Sequence, residues 1–388
     1  MVIKNLVSRF GFVVGGFRTI GVGLAGGLAG LAGLGGSTYA QAPATIVSFD
    51  VPGAKFTSPL SINDKGDIVG WWSSVGYLDQ EQGFVRDRCG KIASFAVPDS
   101  IATDPLSIND RGEIVGDWFP RAGGPPTDFV RRDDGSYTYF NVPDTGSTYA
   151  VSINDKGEIL GSWGDVDGTT GGFVRRKDGD FETFIIPGAT SLIFDQINNR
   201  GASIGSWSQG LDSVIFHGFV RSNDGTITSF DVPGALITYA GSINDQGEIV
   251  GVWAGGLSEI TQGFVRDRDG NFTVFALPGA ENTSPASIND KGEIAGYWVD
   301  SANRYHGFVR DRDGTITSFD APGAELTIAA SINAAGEIAG YYYDSANVLH
   351  GFIRLPSGRG EHEEKCREHE KDDSARSGDG EGHARLQE

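Results

Sequence analysis

Three histidines, His217, His306 and His350, each precede a Gly-Phe pair at matching places along the chain. Imidazoles could ligate a metal or carry protons. Elsewhere the matching place holds Gln, Thr or Gly, and no shared carboxylate accompanies the three. A structural or solvated role is therefore expected, with no bound metal and no cofactor. Seven aromatic residues are also matched: Trp72, Trp118, Trp163, Trp207, Trp253, Trp298 and Tyr342. They could form platforms for sugar rings, the one ligand-binding set the sequence offers, but one large aromatic per repeat is also what packing between sheets demands. No nucleophile elbow, phosphate loop or zinc-protease helix is present, and the catalytic residues stay unknown.

Charge repeats as well. An acid, Asp67, Glu113, Glu158, Glu248, Glu293 or Glu337, recurs upstream of an arginine, Arg86, Arg131, Arg175, Arg266, Arg310 or Arg354. If the two sit on antiparallel neighbours, cross-strand ion pairs are expected. Arg221 faces Ala202 and lacks that partner. Turns such as Asp267-Arg-Asp-Gly270 are too short for a calcium loop, and turn chemistry accounts for them. The two cysteines, Cys89 and Cys366, make neither a disulfide framework nor a zinc site.

These residues are positioned by a repeat. The phrase S-I-N-D-x-G-E-I-x-G starts at Ser61, Ser107, Ser152, Gln196, Ser242, Ser287 and Ser331, a pitch of 44 to 46 residues. A second phrase, G-F-V-R, follows each copy, with aromatics at Phe84, Phe129, Phe173, Phe219, Phe264, Phe308 and Phe352. Asn-Asp-x-Gly and Asp-x-Asp-Gly supply tight hairpins between β-branched and aromatic runs. Each copy thus reads as a four-stranded antiparallel meander, with strands a, b, c and d. Seven such units predict an all-β fold: a seven-bladed β-propeller spanning residues 45–354. Thr45-Ile-Val-Ser-Phe49 reads as a d strand without its own copy, while no d strand follows Gly351-Phe-Ile-Arg354. The N-terminal strand is therefore expected to complete the last blade and leave no unpaired inner edge.

Ser287-Ile-Asn-Asp, His306-Gly-Phe-Val-Arg310 and Thr317-Ser-Phe-Asp-x-Pro-Gly-Ala324 resemble the HAF-type repeats of bacterial extracellular proteins. The resemblance covers roughly residues 45–354. It implies secretion, a bacterial source and a propeller-like fold, and no common activity. The fourth copy departs most, with Gln196-Ile-Asn-Asn199 and Ala202.

The ends differ in composition. Lys4, Arg9 and Arg18 precede an uncharged stretch of about 17 residues, marginal for spanning a bilayer. Thr38-Tyr39-Ala40 follows. Residues 1–40 read as a secretory signal cleaved after Ala40, so the mature chain is secreted or periplasmic, without a membrane segment. Residues 356–388 are charged and poor in apolar groups, a disordered tail; His362, Cys366 and His369 there are adventitious ligands at most. The formal charge of −20 argues against a nucleic-acid partner. A monomer is expected.

Function then falls to the loops. The a–b and c–d hairpins share one face, and the longer, variable b–c loops lie on the other, where binding usually concentrates. A glycan- or protein-binding module is the first expectation. A glycan-active hydrolase or lyase would need two carboxylates, or a His with a Tyr or Arg, converging at one mouth; Asp117, Asp165, Asp167, Asp212, Glu259 and Asp300 lie near that face. A structural envelope component is the third.

Overall fold

The computed structural model describes residues 44–75, 81–210, 214–256 and 260–357. The leader and nearly all of the charged tail lie outside these residues. The described chain is built from β-strands and turns, with no helix among them. In the fifth copy the strands are a, Ile237–Ile243; b, Ile249–Ala254; c, Gln262–Arg266; and d, Phe272–Phe275. They pair a–b, b–c and c–d, all antiparallel. Four other copies form separate four-stranded sheets of the same order.

The remaining sheet has eight strands. One part is copy 1, beginning at Phe56–Ile62. The other is copy 7: Ala324–Ile332, Ile338–Asp344 and Leu349–Leu355, completed by Thr45–Phe49. That N-terminal strand pairs antiparallel with Leu349–Leu355, from Thr45 opposite Leu355 to Phe49 opposite Gly351. It occupies the d position, farthest from strand a. The completed edge is therefore the outer one, not the inner one expected from sequence. A single parallel bridge, Phe56 to Leu349, joins the two parts. The same kind of bridge links other successive copies, at Phe216–Ile237 and Thr261–Asn282.

The recurring phrase is the contact between copies. Each Asn side chain donates to the backbone carbonyl of the next copy's Asn. Asn63 bonds Asn109 at 3.0 Å, Asn109 bonds Asn154 at 3.0 Å, and Asn154 bonds Asn198 at 2.9 Å. The series continues through Asn244 and Asn289 to Asn333. Asn333 then donates to Asn63 at 3.0 Å. The Ser hydroxyl of each copy accepts from the Ile amide of the next, and again the seventh serves the first, Ile62 N to Ser331 Oγ. In the divergent fourth copy Gln196 Oε1 takes that role at 2.8 Å. These bonds satisfy buried amides that water cannot reach.

Strand a carries a bulge just before the Ser, as between Ala240 and Ser242. It drives strand a against the last Gly of the phrase. A Cβ on Gly251 would stand 1.9 Å from Tyr239 O. Gly251→Ala must part strands a and b, and is expected to cost about 3 kcal/mol in thermal or urea unfolding. A loss under about 1 kcal/mol would show that the close approach is not needed.

Between copies lie separate apolar clusters, each centred on a c-strand Phe; all seven such rings are fully buried. Cys89, in the c–d turn of copy 1, is disulfide-bonded; Cys366 lies outside the described residues.

Candidate functional site

The seven matched aromatics end strand b, one in each of seven clusters. Tyr342 is buried and the tryptophans are half-buried. Trp163 Nε1 donates to Gly172 O at 2.9 Å, and Trp207 and Trp298 donate to Ser229 and Ser318. The structure thus distributes them around the copies, each against its own core, and does not gather them into one patch.

Among the described residues, the acids of copies 2, 3, 5 and 6 do not form the expected pair with their strand-c arginine. Each acid instead accepts from its own copy's Asn amide: Glu113 from Asn109, Glu158 from Asn154, Glu248 from Asn244, Glu293 from Asn289 and Glu337 from Asn333, at 2.6 to 2.8 Å. Asp67 accepts from Asn63 at 3.3 Å. Where these acids pair with a cation, it is a turn arginine: Arg111 with Glu113, Arg176 with Glu158 and Arg312 with Glu248. The strand-c arginines lie over the d-strand Phe of the preceding copy: Arg131 on Phe95, Arg175 on Phe140, Arg266 on Phe230, Arg310 on Phe275 and Arg354 on Phe319, 4.7 to 5.0 Å from the ring centres. Arg86 lies over Phe49 of the N-terminal strand in the same way. The reason is register. Arg131 pairs across the ladder with Ile114, so Glu113, one residue earlier, faces the other side. Arg221, expected to lack a partner, lies over Phe184 and forms an ion pair with Glu182.

The histidines do have carboxylates. His217 Nδ1 lies 2.9 Å from Asp231, His306 Nδ1 2.9 Å from Asp320 and His350 Nδ1 2.9 Å from Asp50. Each ring also stacks on its copy's matched aromatic, Trp207, Trp298 or Tyr342. Among the described residues no group of three or more His, Cys, Asp or Glu side chains is arranged to hold a metal ion.

The candidate acids on the b–c side sit in different copies. Asp165 and Asp167 cap their own turn, accepting from Val166 N and Thr169 N. Asp300 accepts the Ala302 and Arg304 amides, which, with the Arg304 side chain, hold its carboxyl well below the usual range. Asp212 and Glu259 lie outside the described residues. Asp117 belongs to a row that sequence reasoning missed. Asp104, Asp117 and Asp128 are register partners across strands a, b and c of copy 2. The six other copies hold Gly where Asp128 stands. Asp128 is fully buried. Its Oδ1 accepts from Ala150 N at 2.9 Å, and its Oδ2 has no hydrogen-bond partner among the described residues. Burial pushes its carboxyl well above the usual range, and the Asp117 charge adds to this.

A cleft of about 350 Å³ opens on the b–c side of copy 7, lined by Glu325, Leu326, Tyr343, Asp344, Ser345 and Asn347. On the opposite side the a–b turns of all seven copies line one cavity of about 170 Å³. Carboxylates ring that mouth. Asp64 N donates to Asp110, Asp110 N to Asp155, Asp155 N to Asn199, Asn199 N to Asp245 and Asp245 N to Asp290. Ala334 N donates to Asp64, but Ala334 has no carboxylate to offer. Burial and neighbouring carboxylates push the Asp110 and Asp245 carboxyls up, against the turn amides that lower them.

The chain matches no family model and no curated protein. Similar solved structures exist. The β-propeller domain of the Trilobed protease from Pyrococcus furiosus aligns at TM-score 0.54 and 11% identity, over 76% of this chain and 95% of that one. An oligogalacturonate lyase in complex with manganese aligns at 0.57 and 11%, over 81% and 97%. Puromycin hydrolase aligns at 0.55 and 11%, over 77% of this chain and 52% of its own. At such identities the likeness speaks to architecture alone: the chain has a β-propeller fold.

Proposed function

We propose that the chain is an exported binding module: a propeller of seven blades, closed by its N-terminal strand, that recognises a glycan or protein through its b–c loop face. The blade count and closure are supported by the contacts that run from the seventh copy to the first, the same as those between successive copies. The HAF-type phrases and the leader composition support export from a bacterial cell. One observation carries the choice of face: the cleft beside Tyr343 and Asn347 lies among the b–c loops, where length and composition vary, while the opposite face consists of uniform turns. Tyr, Asn and carboxylate side chains around an open cleft suit a hydroxyl-rich ligand.

The test is a glycan array on purified protein, followed by a turnover assay on any hit. Trimming the 344–348 turn is expected to abolish binding without unfolding the sheets; unchanged binding after trimming rejects this face. A second reading, a glycan-active hydrolase or lyase, is favoured by the buried Asp128 carboxyl beside Asp117. Product that forms from the bound glycan and vanishes in Asp128→Asn would select it.

A further inference from the structure

The three His–Asp contacts follow a rule along the chain. Where His stands just before the Gly-Phe of strand c, an Asp stands just after strand d: His217 with Asp231, His306 with Asp320. Where Gln stands there instead, the later position is Ala: Gln82 with Ala96, Gln262 with Ala276. In copies 4 and 6 the two partners are 14 residues apart. In copy 7 the partner of His350 is Asp50, 300 residues away, at the end of the N-terminal strand. The side chain therefore pins a strand that no c–d turn joins to strand c of its copy.

His350 is gripped on both nitrogens. Nδ1 lies 2.9 Å from Asp50, and Nε2 lies 3.4 Å from Asp344 at the end of strand b. The ring stacks on Tyr342, centroids 4.9 Å apart. Lys55, on the segment that follows Asp50, directs its ammonium over the Phe56 ring. A neutral imidazole has one N–H and can donate to one of these carboxylates; an imidazolium donates to both.

We propose that His350, held between Asp50 and Asp344, is a proton-operated clasp on the N-terminal strand, firm when the imidazole is charged and loosened when it is neutral. Partial burial opposes the charge, but the bonds and charges of Asp50 and Asp344 outweigh it and raise the His350 pKa above its ordinary 6.5. The sign follows from linkage. A base with a raised folded pKa adds its full stabilisation below the unfolded value and loses it as pH rises through the folded one. The strand is thus held most firmly in mildly acidic solution and released toward alkaline pH.

Hydrogen–deuterium exchange on the full chain tests this. The ratio of exchange in Thr45–Phe49 to that in Phe272–Phe275, whose copy carries Gln262 and Ala276, removes the intrinsic pH dependence. From pH 6 to pH 9 the ratio is expected to rise severalfold as the imidazole loses its charge. The double variant His350→Gln with Asp50→Ala reproduces the pair found in copies 1 and 5 and should flatten the ratio. Asp344→Asn should move the midpoint to lower pH. A flat wild-type ratio, a rise that survives in the double variant, or an unmoved midpoint in Asp344→Asn would each overturn the clasp.

Discussion

Asn154→Ala is expected to lower stability by about 3–5 kcal/mol, the upper range for single substitutions. Asn154 is 4% exposed. Its amide donates to Asn198 O at 2.9 Å and to Glu158 at 2.8 Å. Its Oδ1 accepts from Lys156 N at 3.0 Å and Glu158 N at 2.9 Å. Alanine removes all four bonds; Asn198 O keeps Gly201 N and Glu158 keeps Arg176, but the Lys156 and Glu158 amides lose their acceptor, and each polar group left unmet in a buried place costs about 1–3 kcal/mol. Water entering the new space recovers part of that sum. Urea unfolding with an unchanged denaturant slope would measure it. Asp155→Ala is the control, because copy 7 already holds Ala334 there; it should cost under about 1 kcal/mol. Equal losses in the two variants would disprove the special role of the Asn.

Phe264→Ala is expected to cost about 3–5 kcal/mol as well, by leaving a cavity between copies. The ring is fully buried. It meets Phe230 of the preceding copy edge-on at 6.4 Å and Phe272 of its own at 5.8 Å. It also fills the space over Gly251, whose absent Cβ would lie 3.0 Å from the ring. Val274→Ala, on the same sheet but 46% exposed, should stay within about 0.5 kcal/mol. Thermal unfolding of both decides the matter; a small loss at Phe264 would mean that neighbouring copies can collapse onto the gap.

Much of the scaffold was legible because the two phrases mark the turns. The runs between those turns in copy 5 are strands a, b and c, at Ile237–Ile243, Ile249–Ala254 and Gln262–Arg266. Strand d of that copy stops at Phe275, short of the apolar Leu277, since Leu277 N already serves the turn by donating to Thr283 Oγ1. The ion pairs were misread because the acid was treated as part of the ladder. Asn244, four residues before Glu248, was seen as a turn former, and its bond to the next copy leaves no trace in local spacing. The His–Asp rule was available in the sequence: His350 and Asp50 match the pairing in copies 4 and 6 once the first strand is counted with the last copy. The Asp128 site was legible too, as one Asp among six glycines, but only side-by-side alignment of the G-F-V-R phrases reveals it. Nothing in the chain names a ligand, because the residues that repeat are spent on packing.

The seven Asn amides all donate in the same rotational sense, each to the carbonyl ahead of it. A linear stack of such units would leave one carbonyl and one amide bare at its ends, where fraying starts. A circuit has no first member. Cutting any single link hands the whole set the loose ends it otherwise lacks.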